Sequence, residues 1–275
     1  MTRTLRSMRS KLKRLVFGAC TPFLGDEHGR LGVRTLTGPA KGMRFRLDLH
    51  GNYELRYWLG NYEPEIANKL RSFVKPGWTI WDVGIFLGYY TCLFARLVGA
   101  RGRVVGIEAD PRNLARARRH VEMNGFSNVT FVAGAIGVPD AEVDLLISDG
   151  SNSHLAGAWI GTRQGDYTSN ETRDKAIKVR CKGLDQVMAE GLAPKPDLIK
   201  LDIDGAELWA FDYAELLATH VRPLFLVELH NPECDAAAWR FASRLNYKIE
   251  RFETGEALDT AESVQGTILL TPRES

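Results

Sequence analysis

The chain has 275 residues, 44% of them hydrophobic and 25% charged, which is enough to bury a full core and suits one decorated domain better than two equal ones. Its formal net charge of +2 is too near neutral to mark a nucleic-acid binder, and no apolar run reaches the ~18 residues that a membrane span needs. Cys20, Cys92, Cys181 and Cys234 stand far apart with no CxxC pair, so neither a zinc site nor a disulfide framework is expected, and a reducing cytoplasm fits.

The charge is unevenly placed. Arg3, Arg6, Arg9, Lys11, Lys13 and Arg14 precede the first acid; taking those six from the 36 basic residues leaves 30 against 34 acidic ones, so the body is mildly acidic. Residues 1–32 read as a basic arm, either a solvated terminus or a surface helix making peripheral contact with anionic lipid. The apolar stretch Leu15–Leu24 is short and interrupted by Gly18 and Pro22, which speaks against a cleaved signal peptide.

Residues 33–49 predict a hairpin, two alternating runs around the turn formers Gly38 to Gly42. Residues 63–74 predict a helix, with Pro64 near its start and Ile66, Leu70 and Phe73 on one face. From Trp78 the pattern alternates: strand Trp78–Val83, a glycine turn, helix Tyr89–Val98, strand Arg103–Ile107, basic helix Arg112–Asn124, strand Val129–Ala133. Residues 143–181 depart from it. Two strand-like runs, Val143–Ser148 and Ile177–Cys181, bracket a polar stretch with Gly157, Gly161 and Gly165, which predicts an inserted hairpin. The alternation resumes with strand Asp197–Ile203, helix 205–219, strand Pro223–Leu229 and helix Asp235–Leu245, and the chain closes with strands Tyr247–Phe252 and Gly266–Thr271.

This order predicts an α/β fold of Rossmann-like type over residues 33–275: a mostly parallel twisted sheet, covered on both faces, with an antiparallel edge. Such sheets bind ligands beyond the carboxyl ends of their strands, near the switch in strand order, so polar residues at strand ends become the candidates. Asp82-Val83-Gly84-Ile85-Phe86-Leu87-Gly88 lies between a strand and a helix, where Gly84 and Gly88 allow a tight turn and the helix N-terminus offers free N–H groups to a carboxylate. Asp82 suits an amino group. Glu108 ends the next strand, 24 residues after Gly84, an offset that places an acid to hold ribose hydroxyls, unless it is an ordinary surface acid. The methionine part of S-adenosylmethionine (SAM) presents both an amine and a carboxylate, and SAM has no phosphate. NAD use normally goes with GxGxxG, which is absent.

With these residues in view, the chain resembles the FkbM-type methyltransferases. The resemblance is carried by Trp81-Asp82-Val83-Gly84-x-x-x-Gly88-Tyr89-Tyr90-Thr91 and by four further segments in order: Asn61 to Glu65, Val104 to Pro111, Pro196 to Glu207 and Leu226 to His230. It spans roughly residues 33–271, and Ile199–Glu207 is its most specific part. It implies a class I methyltransferase fold and methylation of a hydroxyl on a small natural product, sugar or lipid-linked glycan. It also implies cofactor contacts at Tyr62, Glu63, Asp82, Gly84, Gly88, Tyr90, Thr91, Glu108, Ala109, Ala135 and Asp202. Ile85 and Phe86 depart from the family, which usually has a small residue and then Asn there. Either they repack harmlessly or they narrow the cofactor pocket; the alternative function is then a catalytically weak or inactive binding protein.

Methyl transfer to oxygen is an in-line displacement that needs proximity and a base for the hydroxyl proton. Asp202, Asp204 and Glu207 follow one predicted strand, and Glu228, His230 and Asn231 end the next, so both groups should face one cleft. His230 is the first choice of base because its ordinary pKa is near neutrality, with Asp202 and Asp204 next. A second reading makes Asp202, Glu228 and Asn231 ligands for Mg2+. Glu207 reads as a first-turn acid serving the helix dipole, and Tyr62 either closes over SAM or simply packs. His28, His50, His120, His154 and His220 read as surface or loop residues, and Arg112, Arg116, Arg118 and Arg119 as a solvated helix face. A homodimer and a small-molecule or glycan acceptor are compatible with this reading; a nucleic-acid acceptor is not expected.

Overall fold

The computed structural model describes residues 30–49, 52–147, 153–155 and 175–274; the basic arm up to residue 29 and most of the centre of the 143–181 segment lie outside the described residues. The chain divides into two compact units, Met1–Phe73 with Glu122–Gly125, and Val74–Val121 with Phe126–Ser275.

In the first unit, β1 (Leu31–Arg34) and β2 (Arg44–Leu47) form the expected antiparallel hairpin, with Leu31 opposite Leu47. The alternation of β2 buries Phe45 and Leu47 and turns Arg44 outward. Two helices follow, α1 (Asn52–Leu59) and α2 (Pro64–Phe73); α2 begins at the proline, whose missing N–H is harmless in a first turn, and buries Ala67 and Leu70. Helix α1 was not expected. Its Tyr57 is buried and takes the ring of Tyr62 edge-on at 4.7 Å between centroids.

The second unit is built on a seven-stranded sheet. Its strands are β3 (Thr79–Val83), β4 (Arg103–Glu108), β5 (Val129–Ala133), β10 (Leu198–Leu201), β11 (Leu224–Leu229), β12 (Tyr247–Arg251) and β13 (Gly266–Pro272), in the order β12-β13-β11-β10-β3-β4-β5. β11, β10, β3, β4 and β5 run parallel, whereas β13 pairs antiparallel with both β11 and β12. This is a Rossmann-like class I methyltransferase topology. The connections α3 (Tyr89–Val98) and α4 (Pro111–Met123) carry the chain outward from β3, and it then returns to β10 on the other side. The switch in strand order therefore lies between β3 and β10.

The central strands are buried on both faces, as their continuous apolar runs require. All four residues of β10 are buried, and Trp81, Val105, Ile199, Leu201, Phe225 and Val227 join one core. Phe241, on α7 (Pro232–Arg244), meets Phe225 and Phe211 at 5.4 and 4.9 Å between centroids.

Three features depart from the expected order. The 143–181 segment holds the expected antiparallel pair, β7 (Glu142–Ile147) with β9 (Lys175–Lys182), but adds β8 (Ser153–Leu155) on one side and the short parallel β6 (Ala135–Ile136) on the other, making a four-stranded sheet. The expected helix 205–219 is broken into α6 (Glu207–Asp212) and a π-helical turn Leu217–Val221. The break falls where Asp185, on the unforeseen helix α5 (Leu184–Ala189), accepts the N–H groups of Leu216 and Leu217 at 2.9 and 2.8 Å and so caps a fresh start. The third is β13, which follows β12 in the chain yet sits inside the sheet between β11 and β12.

Candidate active site

The carboxyl ends of β3, β4 and β10 surround a cleft that extends to β6 and β7. Its floor is the turn after β3. Gly84 takes φ +82°, and a Cβ there would lie 1.8 Å from the carbonyl oxygen of Asp202, so glycine is demanded by the close approach of the β10 end as much as by any ligand. The next two residues settle where the bulky departures go. Ile85 turns away from the cleft and is buried with Leu114, Ala117 and the partly buried Phe131. Phe86 stands on the cleft wall with φ +50°, a left-handed conformation that Asn, the family's usual residue, adopts far more readily.

Glu108, at the end of β4, forms the opposite wall. One carboxylate oxygen accepts the N–H of Phe86 at 2.9 Å and the other that of Asp110 at 2.8 Å. A carboxylate has about four acceptor sites, so this grip leaves capacity for further donors. Burial pushes its carboxyl up to about 8, against the pull of the Asp110 and Phe86 N–H groups. Asp110 caps α4, accepting the N–H of Arg112 at 2.8 Å and pairing with its guanidinium at 2.7 Å.

Behind the cleft lies a buried charge network that the sequence did not announce. Lys200, on β10, is opposite Asp82 in the parallel register, gives an ion pair to Asp202 at 2.9 Å and sits 4.9 Å from the centroid of the Tyr90 ring. Asp82 is fully buried and accepts the Thr91 hydroxyl at 2.6 Å; burial pushes it up to about 6 although Lys200 and Thr91 pull it down. Burial also works against ionised Asp202, but Lys200 and His230 outweigh it and hold that carboxyl below the usual range. The available signal was a lysine inside the apolar run Leu198 to Leu201, since a buried cation requires partners.

The end of β11 brings His230 to the same strand ends. Its Nδ1 donates to Glu207 Oε1 at 3.0 Å, and its Nε2 faces Asp202, Asp204 and Glu228 at 3.6, 3.8 and 3.9 Å. Burial opposes a charge on the ring, but Glu207, Asp202 and Asp204 outweigh it and push His230 up to about 10. Both ring nitrogens thus face carboxylates. The residue expected to act as base sits among acids, and Glu207, Asp202 and Asp204 favour its charged form. Glu207 is not a dipole ornament. It is fully buried and accepts the N–H groups of Ile203 at 3.0 Å and Gly205 at 3.1 Å as well as His230. Asp204 has a side chain 53% exposed, so water screens the upward push that surrounding protein, Asp202 and Glu207 exert on its carboxyl.

Of the expected cofactor residues, Gly84, Glu108, Ala109, Ala135 and Asp202 line the cleft, together with Asp204. Asp82, Gly88, Tyr90 and Thr91 are buried and form no part of its lining; Asp82 accepts the Thr91 hydroxyl through Oδ2 and stands opposite Lys200 in the register. Tyr62 and Glu63 belong to the other unit. Asn231 caps α7, its side chain accepting the N–H of Cys234 at 2.8 Å, and among the described His, Cys, Asp and Glu residues one donor atom each from Asp202, Glu228 and His230 comes together. His120 is buried, its Nδ1 2.7 Å from the Leu87 carbonyl oxygen, not a surface residue. Among the described residues, no helix is long and apolar enough to cross a membrane.

The family model for the methyltransferase FkbM domain matches residues 82–253. An arsenite methyltransferase of Halobacterium salinarum is 38% identical over 84 residues, covering 30% of this chain and 22% of that protein. Protein-L-isoaspartate O-methyltransferase 1 of Arabidopsis thaliana is 38% identical over 58 residues, covering 21% of this chain and 25% of that one. The chain thus spans about a quarter or less of the length of these two relatives. Among solved structures, a methyltransferase FkbM from Methylobacillus flagellatus is 18% identical, with 72% of this chain and 44% of that chain covered and a TM-score of 0.47.

Proposed function

We propose that this chain, which belongs to the FkbM methyltransferase family, binds SAM in the cleft and methylates a hydroxyl oxygen of a small molecule, sugar or lipid-linked glycan. The observation that carries this reading is that one cleft at the switch in strand order is walled by Glu108 on one side and by Asp202 and Asp204 on the other. The residues fit the cofactor. Glu108 keeps acceptor capacity for a ribose, and Ala135 and Ile136 offer backbone and apolar surface to an adenine. When bound, SAM supplies an electrophilic methyl on a sulfonium sulfur and is left as S-adenosylhomocysteine.

The acceptor side is acidic. Asp202, Asp204 and Glu228 repel an anionic acceptor and attract the hydrogen of a neutral hydroxyl, which favours oxygen of an alcohol over a carboxylate. Asp204, on the cleft wall and half in water, takes the hydroxyl proton as the oxygen–methyl bond forms, and releases it to solvent. Asp202, held by Lys200, positions the hydroxyl.

Calorimetry with SAM and S-adenosylhomocysteine tests the cofactor, with binding expected near the micromolar range (about −8 kcal/mol) and weakened at least tenfold by Glu108→Ala. Mass spectrometry of products from a panel of sugars, alcohols and carboxylic acids tests the acceptor. No saturable SAM binding, or methyl esters as the products, defeats the proposal.

A further inference from the structure

We propose that Asp202, Glu228 and His230 form a binding site for one divalent transition cation, with Glu207 orienting the imidazole. This deepens the methyl-transfer reading; the ion's use rests on that reading, but its binding does not.

Four observations converge. The His230 ring is 8% exposed and fixed from behind: Nδ1 donates to Glu207, which is itself held by the N–H groups of Ile203 and Gly205. A carboxylate accepting the far N–H of a histidine is the usual support of a metal-ligating imidazole. The opposite nitrogen, Nε2, has acceptors around it at 3.6, 3.8 and 3.9 Å, all beyond hydrogen-bond length. Donors that share one ion at about 2.0–2.2 Å stand roughly 3–4 Å apart, which is the spacing seen here. One donor atom each from Asp202, Glu228 and His230 falls within 4.8 Å of the others, so a small carboxylate rotation completes the set.

Charge and donor type narrow the ion. Lys200 occupies one oxygen of Asp202 at 2.9 Å and leaves the other, Oδ1, on the His230 side. Asp202 and Glu228 each offer a carboxylate oxygen beside the imidazole, which suits a dication better than a monovalent ion. An imidazole among carboxylates matches Mn2+, Fe2+ or Zn2+ better than the all-oxygen sites of Mg2+ and Ca2+.

The test uses the full chain after chelator treatment. Mn2+ is titrated in and free ion is followed by electron paramagnetic resonance. We expect one Mn2+ per chain with a Kd near the micromolar range, weakened at least tenfold by Glu228→Gln and about 10–100-fold by Glu207→Gln, which removes no ligand. Circular dichroism checks that both variants fold. On the native chain, substoichiometric Mn2+ should broaden the imidazole resonances of His230 before those of His120. No binding below about 1 mM, affinity unchanged in both variants, or His230 unbroadened overturns the site. SAM calorimetry on the same sample separates the two proposals: SAM binding without Mn2+ binding removes the ion site alone.

Discussion

Substituting Gly84 by alanine should be far more damaging than the same change at Gly77, although both glycines sit in similar backbone conformations, φ +82° and φ +90°. The left-handed region costs an alanine about 1–2 kcal/mol at either position. At Gly77 nothing lies within 4 Å of the added Cβ, so that is the whole loss. At Gly84 the Cβ would stand 1.8 Å from the Asp202 carbonyl oxygen and 2.8 Å from its carbon, backbone atoms that move only if the end of β10 moves. The loss there should exceed about 4 kcal/mol, the range of severe core damage, and Asp202 should be displaced with it. Urea unfolding of the two variants reads the difference directly, and the gap should correspond to about 5–10 °C or more in Tm at roughly 2–4 °C per kcal/mol. Equal losses within about 0.5 kcal/mol would mean that the two strand ends yield freely, and the account of this turn would be wrong.

Phe86→Asn should relieve left-handed strain of about 1 kcal/mol yet change SAM affinity less than tenfold, since the backbone N–H that residue 86 gives to Glu108 is kept; calorimetry showing SAM binding only in the variant would mean that the ring closes the site. Lys200→Met leaves Asp82 and Asp202 without their shared cation and should cost about 3–5 kcal/mol near neutral pH. Asp82 already has its folded value raised from 3.8 to about 6, so stability falls as pH rises through that window; the variant should extend the fall to higher pH, and denaturation at pH 5 and pH 8 showing the same loss would refute the coupling. Asn231→Ala removes a cap and should cost about 1 kcal/mol in thermal unfolding while leaving Mn2+ affinity within twofold; a large loss of affinity would restore Asn231 as a ligand.

The sheet was legible because its strands announce themselves: Thr79–Val83 and Leu198–Leu201 are apolar runs bounded by glycine or acid, as doubly covered strands must be. The place of Glu108 at a strand end on the cleft wall was legible from its offset and the glycine turn before it. What hid was everything decided by distant partners. Helix 205–219 kept its propensity on paper, but Asp185, 31 and 32 residues upstream of the two N–H groups it accepts, supplies a cap that breaks it. Lys200 is marked by standing inside an apolar run, but neither its partners nor the role of Glu207 can be read locally, because they are set by elements that meet only in the fold. His230 departs from expectation for the same reason: its ordinary pKa is a property of an isolated ring, and Glu207 on α6 with Asp202 and Asp204 after β10 push it up. Ile85 and Phe86 show the converse, since adjacent bulky residues in sequence point to opposite sides of the turn.

The placement of β13 bears on how the molecule is assembled. β11, the strand that leads to His230, has β10 on one flank and receives its other neighbour only when β13 folds back antiparallel, with Phe225 opposite Leu270 and Val227 opposite Ile268. Until then Leu224–Leu229 offers a flat, unpaired apolar edge, a template for strands of other chains. The β12–β13 ribbon is therefore a seal as well as a part of the sheet, and the interval before it docks is when a growing chain is most exposed to aggregation.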